Sequence, residues 1–181
     1  MKYHNITKAD MLNGEGLRVV LWVSGCSHHC HACQNAITWN KNDGLIFDEK
    51  AKQELYEKIE KTWCSGITLS GGDPLLKDNR KEIKKLVLEI KNKYRNKTIW
   101  CYTGYTWEEL LKQKETDSDL NDILNNIDIL LDGKFELLKA NEKLQYVGSS
   151  NQKIIDVKKS LKSNKKILYI DNDKIIKGDN K

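Results

Sequence analysis

The sequence predicts an α/β fold: an open, partial (β/α) barrel of parallel strands with flanking helices. Three observations carry the prediction. Strand-like and helix-like segments alternate along much of the chain, the order that builds parallel sheets through crossover helices. The first clear strand, residues 18–24 (RVVLWVS), is an almost unbroken apolar and β-branched run, as expected when both faces are covered. Four or five strand–helix units are too few to close an eight-stranded barrel.

The elements follow in order. Asp48 is placed to cap a helix whose apolar stripe is Ala51, Leu55 and Ile59. Residues 66–70 (GITLS) form a short strand that ends in Gly71-Gly72. Asp78 or Asn79 caps the next helix, where Ile83, Leu86, Val87 and Ile90 recur at i, i+3, i+4 and i+7. Residues 98–102 (TIWCY) read as a strand, and Thr106 with Glu109 forms a capping box for a further helix. A weaker helix spans about 118–124, before a strand at 127–131. Beyond Asp132-Gly133 the pattern loosens. Ile154, Ile155 and Val157 suit a strand or a short helix, residues 166–170 a strand, and the turn at 171–174 before Ile175-Ile176 suggests a terminal β-hairpin.

A chain of 181 residues with 39% apolar and 31% charged residues suits one globular domain. Pro74 is its single proline, and no repeat or linker divides it. No apolar run reaches the roughly 20 residues needed to cross a bilayer, and the polar N-terminus is unlike a signal peptide, so a cytoplasmic protein is expected. The net charge of +5 resides in residues 153–181, with nine lysines against four aspartates. Only three arginines occur (Arg18, Arg80 and Arg95). That distribution favours a solvated lysine-rich face over a nucleic-acid surface.

Three of five cysteines fall within eight residues, as Cys26, Cys30 and Cys33 in C-x3-C-x2-C spacing directly after the first clear strand. Loops at the carboxyl ends of parallel strands are where α/β sheets gather their sites. Three thiolates on one loop can hold three corners of a cubane iron–sulfur cluster and leave the fourth iron open to a ligand. A zinc site is the competing reading, since His28, His29 and His31 lie among the cysteines. Zinc ligands usually come as two separated pairs, and Cys64 and Cys101 stand alone, so the spacing favours the cluster. The second motif is Ser70-Gly71-Gly72-Asp73-Pro74. Paired glycines allow close backbone approach to a ligand, and Asp73 offers a carboxylate suited to an ammonium group. The same five residues also suit an ordinary strand-to-loop turn.

Together the motifs resemble those of the radical S-adenosylmethionine enzymes, and more closely the family that activates anaerobic ribonucleoside-triphosphate reductase. The similarity runs in order to about residue 157. It includes NGEGLR at 13–18, VSGC at 23–26 with the cysteine loop and Asn35, and Thr38-Trp39. It continues through LSGGDPL at 69–75, TGY at 103–105, LDGKF at 131–135 and GSSNQ at 148–152. The resemblance implies a radical S-adenosylmethionine domain over 1–157, with 158–181 as its lysine-rich extension. It implies that Cys26, Cys30 and Cys33 ligate a 4Fe–4S cluster and that Ala32, Cys33 and Gln34 contact S-adenosylmethionine mainly through backbone. Ser70, Gly71, Gly72 and Asp73 would meet the cofactor's methionine end. The reaction implied is reductive cleavage of S-adenosylmethionine to a 5′-deoxyadenosyl radical, which takes hydrogen from a glycine Cα of the large reductase subunit. A one-electron donor such as flavodoxin would supply the electron, and no nucleic acid or membrane is implied as partner.

The chain departs from many radical S-adenosylmethionine enzymes in carrying Ala32, not an aromatic residue, just before the third cysteine. Other features have plain readings. Cys64 and Cys101 suit small core positions; Trp100 and Trp107 suit packing. The three histidines suit loop positions near the cluster, with a tuning role as the alternative. Asp132 fits either the site or a simple turn. Two other functions stay open: an activase for a different glycyl-radical enzyme, of formate-lyase type, and a zinc-binding interaction module.

Overall fold

The computed structural model describes residues 1–177. Eight strands form one open sheet: β1 (Lys2–Asp10), β2 (Arg18–Val23), β3 (Leu45–Ile46), β4 (Gly66–Gly71), β5 (Thr98–Tyr102), β6 (Ile129–Asp132), β7 (Lys153–Asp156) and β8 (Leu168–Ile170). Their spatial order is β3-β1-β2-β4-β5-β6-β7-β8. The central run β2-β4-β5-β6 is parallel. The outer strands are antiparallel, with β1 and β3 on one wing and β7 and β8 on the other. The expectation of parallel strands thus holds for the centre only, and the whole sheet is mixed. The wings need no crossover helix, because antiparallel neighbours can be joined by shorter loops.

Six helices accompany the sheet among the described residues: α1 (Glu49–Ile59), α2 (Lys77–Lys93), α3 (Trp107–Gln113), α4 (Ser118–Asn126), α5 (Val157–Ser163) and α6 (Asn172–Lys177). None is long and apolar enough to cross a membrane. Strand alternation sorts the core into two sides. Val19, Leu21, Val23, Ile67, Leu69, Ile99, Cys101 and Leu130 pack with the apolar stripes of α1, α2 and α4. Trp100, Ile129, Leu131 and Ile154 face the other way, against Leu144 and Val147 of a long loop. Loop 11–17 also crosses this second side. The Thr68 hydroxyl donates to the Asn13 carbonyl at 2.8 Å, and a Cβ on Gly14 would meet the Trp100 ring at 2.8 Å.

The caps at Asp48 and Thr106 form as expected, the second as a full capping box with Glu109. The α2 cap does not. Lys77 opens α2 after Leu76, with no side-chain cap, because Asn79 is drawn inward to the carbonyls of Ser24 and Asp73. Residues 154–157 divide between the end of β7 and the start of α5. No hairpin forms at 171–176: the segment is α6, with the Ile175 and Lys174 N–H groups turned back to the Asp171 carbonyl. Asn172 ties that helix to Gln145 at both backbone groups, which fixes the turn and leaves no returning strand.

Candidate active site

The loop after β2 and the turn after β4 run side by side. Gly72 N–H donates to the Val23 carbonyl at 2.8 Å, and Asp73 N–H to the Gly25 carbonyl at 2.7 Å. The approach is so close that a Cβ on Gly72 would lie 2.4 Å from the Gly25 oxygen. Gly71, at φ 104°, would press a Cβ onto Val23 backbone at 2.7 Å. The paired glycines therefore first let two loops meet, one residue before Cys26. On the other flank, Gly25 and Cys26 N–H groups donate to the Thr38 and Trp39 carbonyls at 2.8 and 3.0 Å.

Within the cysteine loop, His29 and Ala32 adopt left-handed conformations, at φ 46° and 58°, and curl the chain. The Cys33 N–H closes a turn onto the Cys30 carbonyl at 3.1 Å. The backbone N–H of His28 donates to Cys26 Sγ at 3.5 Å, and that of Asn35 to Cys33 Sγ at 3.4 Å. At Cys26 the bond from His28 favours thiolate, the ligating form. Burial works against it and leaves that thiol above the ordinary range.

Cys26, Cys30 and Cys33 all line a cavity of about 720 Å³, together with Ala32, Gln34, Ser70, Gly71 and Gly72. Eight of the nine residues expected at the site thus meet on one concave surface. The ninth, Asp73, does not line it. Its side chain lies beneath, 1% exposed, accepting from Leu75 N–H at 2.8 Å, Thr103 Oγ1 at 3.0 Å and Gly104 N–H at 3.1 Å, with His28 Nε2 at 2.8 Å. The far wall comes from β5 and the long loop: the Tyr102 hydroxyl donates to the Tyr146 carbonyl at 2.6 Å. Gln152 joins two segments there, accepting from Gly148 and Ser149 N–H and donating to the Gly133 carbonyl.

The donor set suits a cubane. Three cysteines of one loop line the same cavity, and a cubane gives each thiolate its own iron. His29 and His31 are exposed, and Cys64 and Cys101 are buried as expected. Trp100 and Trp107 are packing residues. Asp132 belongs to neither expected category. It is buried, its carboxylate accepts from the Trp107 and Lys153 N–H groups at 2.8 and 3.0 Å, and burial raises its pKa. Two contributions had no clear signal in sequence: His28 as the partner of Asp73, and Thr103 with Gly104 as its further donors.

The model of a 4Fe–4S single cluster domain matches residues 12–155, which defines the class of the protein. Among curated relatives, a protein of Enterobacteria phage T4 is 41% identical, aligned over 85% of this chain and 93% of its own. One from Pasteurella multocida (strain Pm70) is 40% identical over 84% of this chain and 95% of its own, and one from Escherichia coli (strain K12) 39% identical over 84% and 96%. All three are named anaerobic ribonucleoside-triphosphate reductase-activating protein, and this chain belongs to that family.

Proposed function

We propose that this chain activates the anaerobic ribonucleoside-triphosphate reductase as a radical S-adenosylmethionine oxidoreductase, placing a glycyl radical on the large reductase subunit. The observation that carries the reading is the shared wall of the cavity, where the three cysteines and Ser70, Gly71 and Gly72 line one space. Cys26, Cys30 and Cys33 would hold a 4Fe–4S cluster. Ala32, Cys33 and Gln34 would offer backbone to S-adenosylmethionine, while Ser70, Gly71 and Gly72 take its methionine end and Asp73 fixes their turn from below. When bound, the cluster and cofactor supply a one-electron reductive cleavage to methionine and a 5′-deoxyadenosyl radical, which takes hydrogen from the partner's glycine.

The chain's own residues do the holding and orienting, and no side-chain base is required. The four central parallel strands would serve as the partial barrel, with the described residues of the lysine-rich extension, 158–177, as part of the same domain. The electron would come from a donor such as flavodoxin, in the cytoplasm.

Anaerobic reconstitution with iron and sulfide, then dithionite and S-adenosylmethionine, tests the reading by 5′-deoxyadenosine formation. Added reductase large subunit should then show a glycyl-radical electron paramagnetic resonance signal. Cluster-loaded protein that yields no 5′-deoxyadenosine would refute the chemistry. 5′-Deoxyadenosine without a radical on the reductase would refute the partner.

A further inference from the structure

We propose that His28 is a positioning residue, holding the cysteine loop and the glycine turn in one fixed relation through Asp73. The inference rests on the function proposed above, but its carrier is geometry in this chain. His28 lies midway between Cys26 and Cys30, on a loop whose other histidines are exposed. Its own side chain is only 7% exposed, with Nε2 2.8 Å from Asp73 Oδ2. Its ring stands edge-on to Tyr105, with centroids 4.5 Å apart and planes at 78°. Gly104 makes the room: a Cβ there would come within 2.3 Å of the His28 ring.

Asp73 sits at the convergence of three strand ends. Its oxygens take His28 from the loop after β2, the Leu75 N–H from its own turn after β4, and Thr103 and Gly104 from the end of β5. All of these partners are protein groups, so the carboxylate works as a junction. A carboxylate with this many donors in a buried place is held in one orientation. Among the described residues, His28 is its one link to the cysteine loop through a side chain. The loop has backbone anchors at Gly25 and Cys26, but among the described residues no backbone–backbone hydrogen bond from Ser27 to His31 reaches outside the loop. His28 therefore fixes the segment between two of the three thiols against the turn proposed to receive S-adenosylmethionine. Groups that orient metal ligands typically change metal affinity or activity by about 10- to 100-fold when removed, and His28 acts one step behind such groups.

Two measurements on the full chain test this in the parent, His28→Ala and His28→Gln proteins. Gln retains an N–H donor for Asp73 and lacks the ring. The first is amide hydrogen exchange of the metal-free protein, resolved by segment. The second is titration of the reduced, cluster-loaded protein with S-adenosylmethionine, followed by the change in the cluster's electron paramagnetic resonance signal. In His28→Ala, exchange should rise about tenfold in residues 26–35 while α1 and α2 keep parental protection, and half-saturation should need about tenfold more S-adenosylmethionine. His28→Gln should recover most of both.

Parental values in His28→Ala overturn the proposal, as does protection lost evenly across the sheet, which marks a merely structural role. If His28→Ala does not fold, His28→Gln decides alone: near-parental values support the donor's role and general loosening overturns it. A loaded parent protein whose signal ignores S-adenosylmethionine refutes the function proposed above instead, and the exchange comparison still tests the clasp.

Discussion

The two ends of the central parallel strands are built from different chemistry. At the amino ends, long charged side chains close the sheet. The guanidinium of Arg18 spans three strands, donating to Thr68 Oγ1, the Ile67 carbonyl, and both Thr98 Oγ1 and the Thr98 carbonyl. It also lies 5.2 Å from the Trp100 ring, and burial lowers its pKa to about 10, still charged at neutral pH. Lys97 donates to the Lys61 and Cys64 carbonyls, while Asp128 pairs with Lys91 and Lys158 at 2.5 and 2.6 Å. At the carboxyl ends, glycine backbones touch, and the buried carboxylate of Asp73 joins the loops after β2, β4 and β5. One end spends its side chains on closure; the other leaves thiols and backbone facing a cavity. The residues that close the sheet and those of the proposed site are thereby separated along the same four strands, and each end can be altered with its own readout.

The largest expected effect is at the carboxyl end. Cys26→Ala should abolish 5′-deoxyadenosine formation and deplete iron, while the metal-free protein melts within a few degrees of the parent. A variant that still cleaves S-adenosylmethionine would break the assignment. At the amino end, Arg18→Met strands several buried carbonyls and hydroxyls, and should cost about 3 kcal/mol in urea unfolding of the metal-free chain. A loss below about 1 kcal/mol would deny the amino end its structural role. Gly72→Ala sharpens the comparison, because its clash is with backbone in the site itself. Cluster yield should fall severalfold, with about 1–3 kcal/mol lost from overpacking.

The smallest effect concerns acid. Burial pushes Asp128 up, but bonds from Lys158, Lys91 and the Ile99 N–H outweigh it and hold its pKa below the usual carboxylate range. Its stabilisation is therefore complete above the unfolded value of about 3.9 and is lost as pH falls through the lower folded value. Asp128→Asn should be less stable than the parent at pH 7, and the gap should narrow below about pH 4. A gap that widens on acidification would contradict this sign.

The sequence made the carboxyl end far more legible than the amino end. Cysteine spacing and the glycine pair are local signals, and so are the caps at Asp48 and Thr106. Arg18 gave no such signal, because its partners lie about 50 and 80 positions away. β1 escaped for another reason. It reads KYHNITKAD, with only Tyr3 and Ile6 buried, and register shifts after Tyr3 and Thr7 break its alternation. The glycine turn was visible, but the first thing it approaches is the neighbouring loop. Asp73 was visible too, as a carboxylate near the site. That it faces protein donors follows only from three loops folding together.

The burial of Cys64 and Cys101 sets how this protein meets oxygen. Both thiols are bonded to backbone carbonyls, at 3.3 and 3.6 Å, and burial drives the Cys101 pKa well up. The three loop thiols are the accessible ones. In the metal-free protein, sulfenylation and disulfide exchange thus fall on the loop and spare the core. A reductant, with no refolding step, should then return such a chain to a form that accepts iron and sulfide.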